Sequence, residues 1–165
     1  MRALLPVAGL LALAACDRPA PKAPPAAGAP TTDSRWAFGL GKASAEMAWL
    51  KAPDRPEAGL RLICARGGGM MVEVAAFSPV ASEERLSIGA GGQAVALVAR
   101  SVEGQPVRAT GPVDDALLAV VAGGGAISAR YGAQTFGPVE APPAALRRAF
   151  ADLCRDMNPA RGEAA

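Results

Sequence analysis

The sequence predicts an α+β fold: an antiparallel β-sheet assembled from several hairpins, with a C-terminal α-helix packed on it and room for one further short helix. Three observations predict it. From Trp36 to Tyr131, short apolar runs alternate with glycine and proline, the rhythm of strands and turns. Between Pro142 and Met157 the apolar residues recur instead at helical spacing. The chain of 165 residues also leaves room for one domain once its unusual ends are set aside.

The clearest hairpin spans Leu60 to Phe77. Leu60, Leu62 and Cys64 share one face of its first arm, Gly67, Gly68 and Gly69 supply the turn, and Val72-Glu73-Val74 begins the return. Pairing residues whose numbers sum to about 134 closes a three-residue loop and sets Leu62 against Val72. The same register puts Arg61 opposite Glu73 on the outer face, where unlike charges across a ladder are mildly stabilising. A slip of one residue would turn the apolar face outward, so the two criteria select one register.

A second pair follows, with Leu86-Ser87-Ile88 turning through Gly89-Ala90-Gly91-Gly92 into Ala94 to Val98. Glu103-Gly104 makes a further turn before Val107 to Ala109. From Asp114 to Ala122 a short helix is expected rather than a buried strand, because Pro112 and the acidic pair Asp114-Asp115 suit its start and Gly123 its stop. Ala126 to Tyr131 returns to strand.

The C-terminal helix, from about Pro142 to Met157, is the strongest element. Leu146, Ala149, Phe150, Leu153, Cys154 and Met157 form its apolar stripe, which should face the sheet. Arg147, Arg148, Asp152, Arg155 and Asp156 fall largely on the remaining surface, with Arg148 and Asp152 four apart. Pro142 and Pro143 suit the first turn, and Asn158-Pro159 suits the end.

The N-terminal end carries an address. Met1 and Arg2 precede an uncharged run, Ala3 to Ala15, that ends in small residues before Cys16. A basic start, a short apolar core and a small-residue end make a secretory signal peptide, and the run is shorter than the ~20 apolar residues a spanning helix needs. Leu13-Ala14-Ala15-Cys16 resembles the lipobox of bacterial lipoprotein precursors. That resemblance implies a lipidated Cys16 as the mature N-terminus; ordinary cleavage near Ala15, with Cys16 incidental, is the alternative. Asp17 resembles the inner-membrane retention signal of enteric lipoproteins, a rule confined to those bacteria.

The resemblance also implies a lipoprotein of the cell envelope, periplasm-facing if the cell is Gram-negative. Acyl chains such as palmitate would hold it at about 0.8 kcal/mol per buried CH₂. The expected organisation is then a signal peptide over 1–15 and a lipidated cysteine with a Pro/Ala-rich tether over 16–34. A single α+β domain over 35–158 and a flexible tail over 159–165 complete it.

The sequence contains no histidine. This removes Ser-His-Asp and Cys-His catalysis and histidine-based zinc sites, and neither a metal nor a cofactor is expected. The count of 17 basic and 15 acidic residues is near balance, which argues against a polyanion-binding surface and so against a nucleic-acid partner.

With Cys16 acylated, Cys64 and Cys154 are the remaining thiols, and export takes them to an oxidising compartment. Both lie on apolar faces, as a disulfide needs. Closing a loop of roughly 90 residues would contribute about 4 to 5 kcal/mol in the chain-entropy model. Two buried free thiols are the alternative.

The glycine runs 67–69 and 123–125 precede strands, not helix N-termini, and are expected to be turns rather than phosphate loops. Glu83-Glu84 and Asp114-Asp115 fit caps and solvation. Lys42, Ser44 and Lys51 are the residues a histidine-free enzyme would recruit, though no motif joins them. Ile127-Ser128-Ala129-Arg130-Tyr131-Gly132 is similar to the serine and tyrosine loop of periplasmic lipoprotein inhibitors of lysozyme, which are small disulfide-containing β-barrels. It has alanine where that family has glycine, and the likeness implies inhibition of a cell-wall hydrolase.

Trp36, Phe38 and Trp49 are the candidates for a surface that binds an envelope protein or cell-wall component, set against ordinary core packing. The expected function is that of a non-enzymatic, lipid-anchored binding or structural module.

Overall fold

A computed structural model of the chain describes residues 35–52, 54–80 and 82–158. The leader, the tether and the tail lie outside the described residues. In chain order the elements are β1 (Trp36–Leu40), β2 (Ser44–Ala52), β3 (Arg55–Ala65), β4 (Gly69–Val74), β5 (Arg85–Ala90), β6 (Gln93–Arg100) and β7 (Val107–Gly111). The helix α1 (Asp115–Ala122), strands β8 (Ile127–Tyr131) and β9 (Gln134–Val139), and the helix α2 (Ala144–Met157) follow.

The strands form one nine-stranded sheet in the order β1-β2-β3-β4-β7-β6-β5-β8-β9, antiparallel at every pairing. With the two helices packed on it, this is the α+β architecture the sequence predicts. The β3–β4 hairpin has the expected register, with Leu62 against Val72, Arg61 against Glu73, and Ala65 against Gly69 around the three-residue loop.

The sheet rolls on itself. Trp49 of β2 meets Phe136 of β9 edge to face, with ring centroids 5.6 Å apart. Trp36, on the opposite edge strand from β9, donates its Nε1–H to Glu140 O at 2.9 Å. The inner face is the core, holding Met47, Leu60, Leu62, Met70, Val72, Leu86, Ile88 and Tyr131. Helix α2 lies against β2 and β3, α1 lies against β5 and β6, and the two helices touch.

Asp114 caps α1, its Oδ1 accepting from Leu117 N at 2.8 Å. The last carbonyl of α1, Ala122 O, accepts from Arg147 Nε of α2 at 3.3 Å, so a cation from the neighbouring helix stands at its C-terminus.

The two glycine runs have packing roles. Gly67 and Gly69 take positive φ, and the turn between β3 and β4 receives the end of α2. Gly67 N donates to Met157 O at 3.1 Å, and Gly69 N donates to Asn158 Oδ1 at 3.1 Å. The other run meets the β5–β6 turn, where a side chain at Gly91 would collide with Gly124 O.

Several expectations require correction. The β5–β6 turn is made by Gly91-Gly92 alone, with Gly89 and Ala90 paired inside β5. On α2 the buried residues are Phe150, Ala151, Cys154 and Met157, while Ala149 is exposed. The ion pair on α2 joins Arg155 to Asp152 at 3.0 Å rather than Arg148 to Asp152. Arg147 is half-buried against α1 and not on the open surface. Glu73 does stand on the outer face opposite Arg61 as expected, yet it is only 6% exposed because guanidinium groups cover it.

Candidate functional site

Cys64 on β3 and Cys154 on α2 are joined as a disulfide, with Cα atoms 5.5 Å apart, a normal spacing for the bond. Both residues are completely buried. The bridge fastens α2 to the inner face at the end of β3, beside the β3–β4 turn that holds the end of the same helix.

The three aromatic candidates do not form an open surface. Trp36 is a core residue. Trp49 is partly buried, with Arg35 stacked over its ring at 4.0 Å and the backbone of Gly59 close beneath. Its Nε1–H is buried and has no hydrogen-bond partner among the described residues. Phe38 is 36% exposed and packs edge to face on Phe150. Of the three, only Phe38 is exposed, and Leu40 beyond it is an exposed apolar residue of the same strand.

The polar chemistry gathers on the outer face. Arg61 of β3 grips Glu46 with two bonds, Nε to Oε1 at 2.7 Å and Nη2 to Oε2 at 3.0 Å. Its Nη1 reaches Glu73 Oε1 at 3.5 Å, and Arg108 Nε of β7 holds Glu73 Oε2 at 2.7 Å. The hydrogen bond to Glu46 raises the Arg61 pKa above its ordinary value, burial opposes this, and the Glu46 and Glu73 charges add to it. Glu73, the one buried charged residue among those described, is thus an acceptor already engaged by two cations. A shallow groove of about 610 Å³ lies over this network, floored by Ala37, Ala48, Leu50, Ala58 and Pro106.

A second feature runs across the other half of the outer face. Strands β5 to β9 carry four charged residues, Arg85, Arg100, Arg108 and Arg130, and all four are exposed arginines. Arg108 stands directly opposite Arg100. Arg85 pairs with Val98, two residues from Arg100, and Ser87 pairs with Arg130, so Arg85 is a diagonal neighbour of both other arginines. Neither Arg85, Arg100 nor Arg130 makes an ion pair among the described residues. A smaller depression of about 220 Å³ lies between Arg100 and Arg108, lined also by Val102, Gln105 and Thr110. The signal for this stripe was present in the sequence, as a run of strands with arginine and no acid, but strand order was needed to join its members.

The remaining candidates are dispersed. Ser44 and Lys51 sit at opposite ends of β2, roughly 23 Å apart along an extended strand. Lys51 pairs instead with Glu57 at 3.5 Å, and Lys42 is exposed in the β1–β2 turn. Glu83 Oε1 accepts from Arg85 N at 2.9 Å, and Asp114 is the helix cap.

In the segment 127–132, Ser128 and Arg130 are exposed while Tyr131 is fully buried. The Tyr131 hydroxyl accepts from Val80 N at 3.2 Å and donates between Val80 O and Glu83 O at 3.0 and 3.1 Å, which braces the loop before β5. No family model matches the chain, and no match is found among curated proteins or among solved structures.

Proposed function

We propose that the chain is an exported lipoprotein of the bacterial envelope, held to a membrane through Cys16, whose folded domain works by binding rather than by catalysis. The Cys64–Cys154 disulfide carries the reading. Such bridges persist in oxidising compartments outside the cytosol, and the leader ahead of Cys16 is an export signal of matching purpose.

Binding is favoured over catalysis by the state of the polar groups. The buried acid, Glu73, is committed to Arg61 and Arg108, and Lys51 stands at the far end of β2 from Ser44 and pairs with Glu57. The outer face, with its shallow groove and its arginines, replaces the aromatic cluster as the contact surface. An anchor raises the effective concentration of such a surface toward other envelope components, so modest contacts suffice.

Mass spectrometry of the exported protein tests the anchor. The expected N-terminal peptide starts at Cys16 and carries a thioether-linked diacylglycerol, and Cys16→Ser abolishes both the modification and membrane fractionation. Recovery of unmodified Cys16, or of a chain still carrying residues 1–15, would overturn the proposal.

A further inference from the structure

We infer that the outer face of β7-β6-β5-β8 is a docking surface for anionic phospholipid headgroups. The observation that carries it is the arrangement of like charges. Arg108 and Arg100 face each other across a ladder, where like charges are mildly destabilising, and Arg85 and Arg130 continue the row diagonally at about 7–8 Å spacing. Three of the four guanidinium groups lack a carboxylate partner among the described residues, although Arg130 Nε donates to Gly132 O at 3.1 Å. The unpaired charge is relieved when anions are shared between neighbouring guanidinium groups, whose forked donors match phosphate oxygens.

Three features select a bilayer as the source of those anions. Val98 and Val102, 60% and 55% exposed, stand among the arginines, so the surface is amphipathic as an interfacial contact must be. The face is the outside of a rolled sheet, a convex shape suited to a broad plane of headgroups. Strands β5 to β8 present no aromatic side chain outward on which bases could stack, whereas single-stranded nucleic acid is bound through such platforms. The depression between Arg100 and Arg108, with Thr110 and Gln105 beside it, takes one headgroup phosphate.

The near balance of charge over the whole chain conceals this segregation. Of the neighbouring acids, Glu73 of β4 is taken up by Arg61 and Arg108, and the others lie in the connecting loops, Glu83 and Glu84 before β5 and Glu103 after β6, where they weaken the field without neutralising the stripe. The inference rests on the lipoprotein reading only in placing the protein beside a membrane.

The test uses the chain from residue 16 onward carrying Cys16→Ser, which contains the whole folded unit and no acyl group. Sedimentation with vesicles of phosphatidylcholine alone, and of equal phosphatidylcholine and phosphatidylglycerol, measures partitioning. Binding is expected only to the anionic vesicles and should fall steeply with salt.

Each arginine at an anionic surface is worth about fivefold in partitioning, so Arg85→Ser with Arg100→Ser should weaken it about thirtyfold. Arg66→Ser with Arg148→Ser, exposed elsewhere on the domain, should leave it unchanged. An unfolding curve on each variant checks that the fold is kept. Equal binding to neutral vesicles, equal weakening by both double variants, or tighter binding to a single-stranded oligonucleotide would overturn the inference. Absence of lipid on Cys16 in the native protein would instead sink the anchor, leaving the vesicle result to be judged separately.

Discussion

Reducing the Cys64–Cys154 bond should remove a large part of the domain's stability. The bond closes 90 residues of chain, for which the chain-entropy model gives about 4.6 kcal/mol at 25 °C. Residual structure in the denatured chain makes this a ceiling, so a loss of about 3 to 4.6 kcal/mol is expected. Both cysteines are already buried, so the reduced thiols expose nothing new and the term is dominated by the unfolded chain.

Urea unfolding followed by tryptophan fluorescence, with and without reductant, reads the difference through the buried Trp36. At a slope of about 1.5 kcal/mol per molar urea, the midpoint should drop by about 2 to 3 M. The slope itself should rise, because the uncrosslinked denatured chain exposes more surface. Hydrogen exchange should show the amides of α2 losing protection first, since the bridge fastens that helix to β3. A midpoint shift below about 0.5 M, or α2 protected to the same degree as β3 after reduction, would refute the argument that the bridge constrains the denatured chain and holds the helix.

Three other perturbations separate competing effects. Glu73→Gln leaves Arg61 and Arg108 without their buried partner, but both remain solvated, so the cost should be about 1 to 2 kcal/mol by thermal unfolding rather than the 3 to 5 of a fully buried pair. Gly91 and Gly92 both have positive φ, yet only a side chain at Gly91 meets Gly124 O. Gly91→Ala should therefore destabilise by at least about 1 kcal/mol more than Gly92→Ala, and equal losses would show that the two turns do not touch closely. Trp36→Phe breaks the bond to Glu140 O and should cost about 1 to 3 kcal/mol. Trp49→Phe removes an unbonded buried donor and should change stability by less than about 1 kcal/mol, so the reverse order would refute the hydrogen-bond accounting.

The parts of this fold legible in the sequence are those fixed by local pattern. The β3–β4 hairpin has apolar alternation and an Arg61–Glu73 pair that agree on one register, and α1 and α2 carry their boundaries in Asp114, Gly123, Pro143 and Asn158. Strands β1, β2 and β9 were not separately legible. In β2, Ala45, Met47, Ala48 and Trp49 suit a helix as well as a strand. In β9, Gly137 and Pro138 interrupt an edge strand where the pairing shifts.

Ala151 replaces Ala149 in the buried stripe because α2 is flanked by α1 as well as by β2 and β3, which widens the covered side. The arginine stripe is non-local in a stronger sense. Its members come from four strands that the order β7-β6-β5-β8 makes neighbours, and a total charge count averages them against acids placed elsewhere.

The choice of arginine in that stripe has a consequence for how an anion would be held there. A guanidinium keeps its proton at every pH a cell survives, and the chain has no imidazole to gain or lose one nearby. Each guanidinium also offers its donors as a planar fork, so neighbouring members of the row can hold separate oxygens of one anion between them.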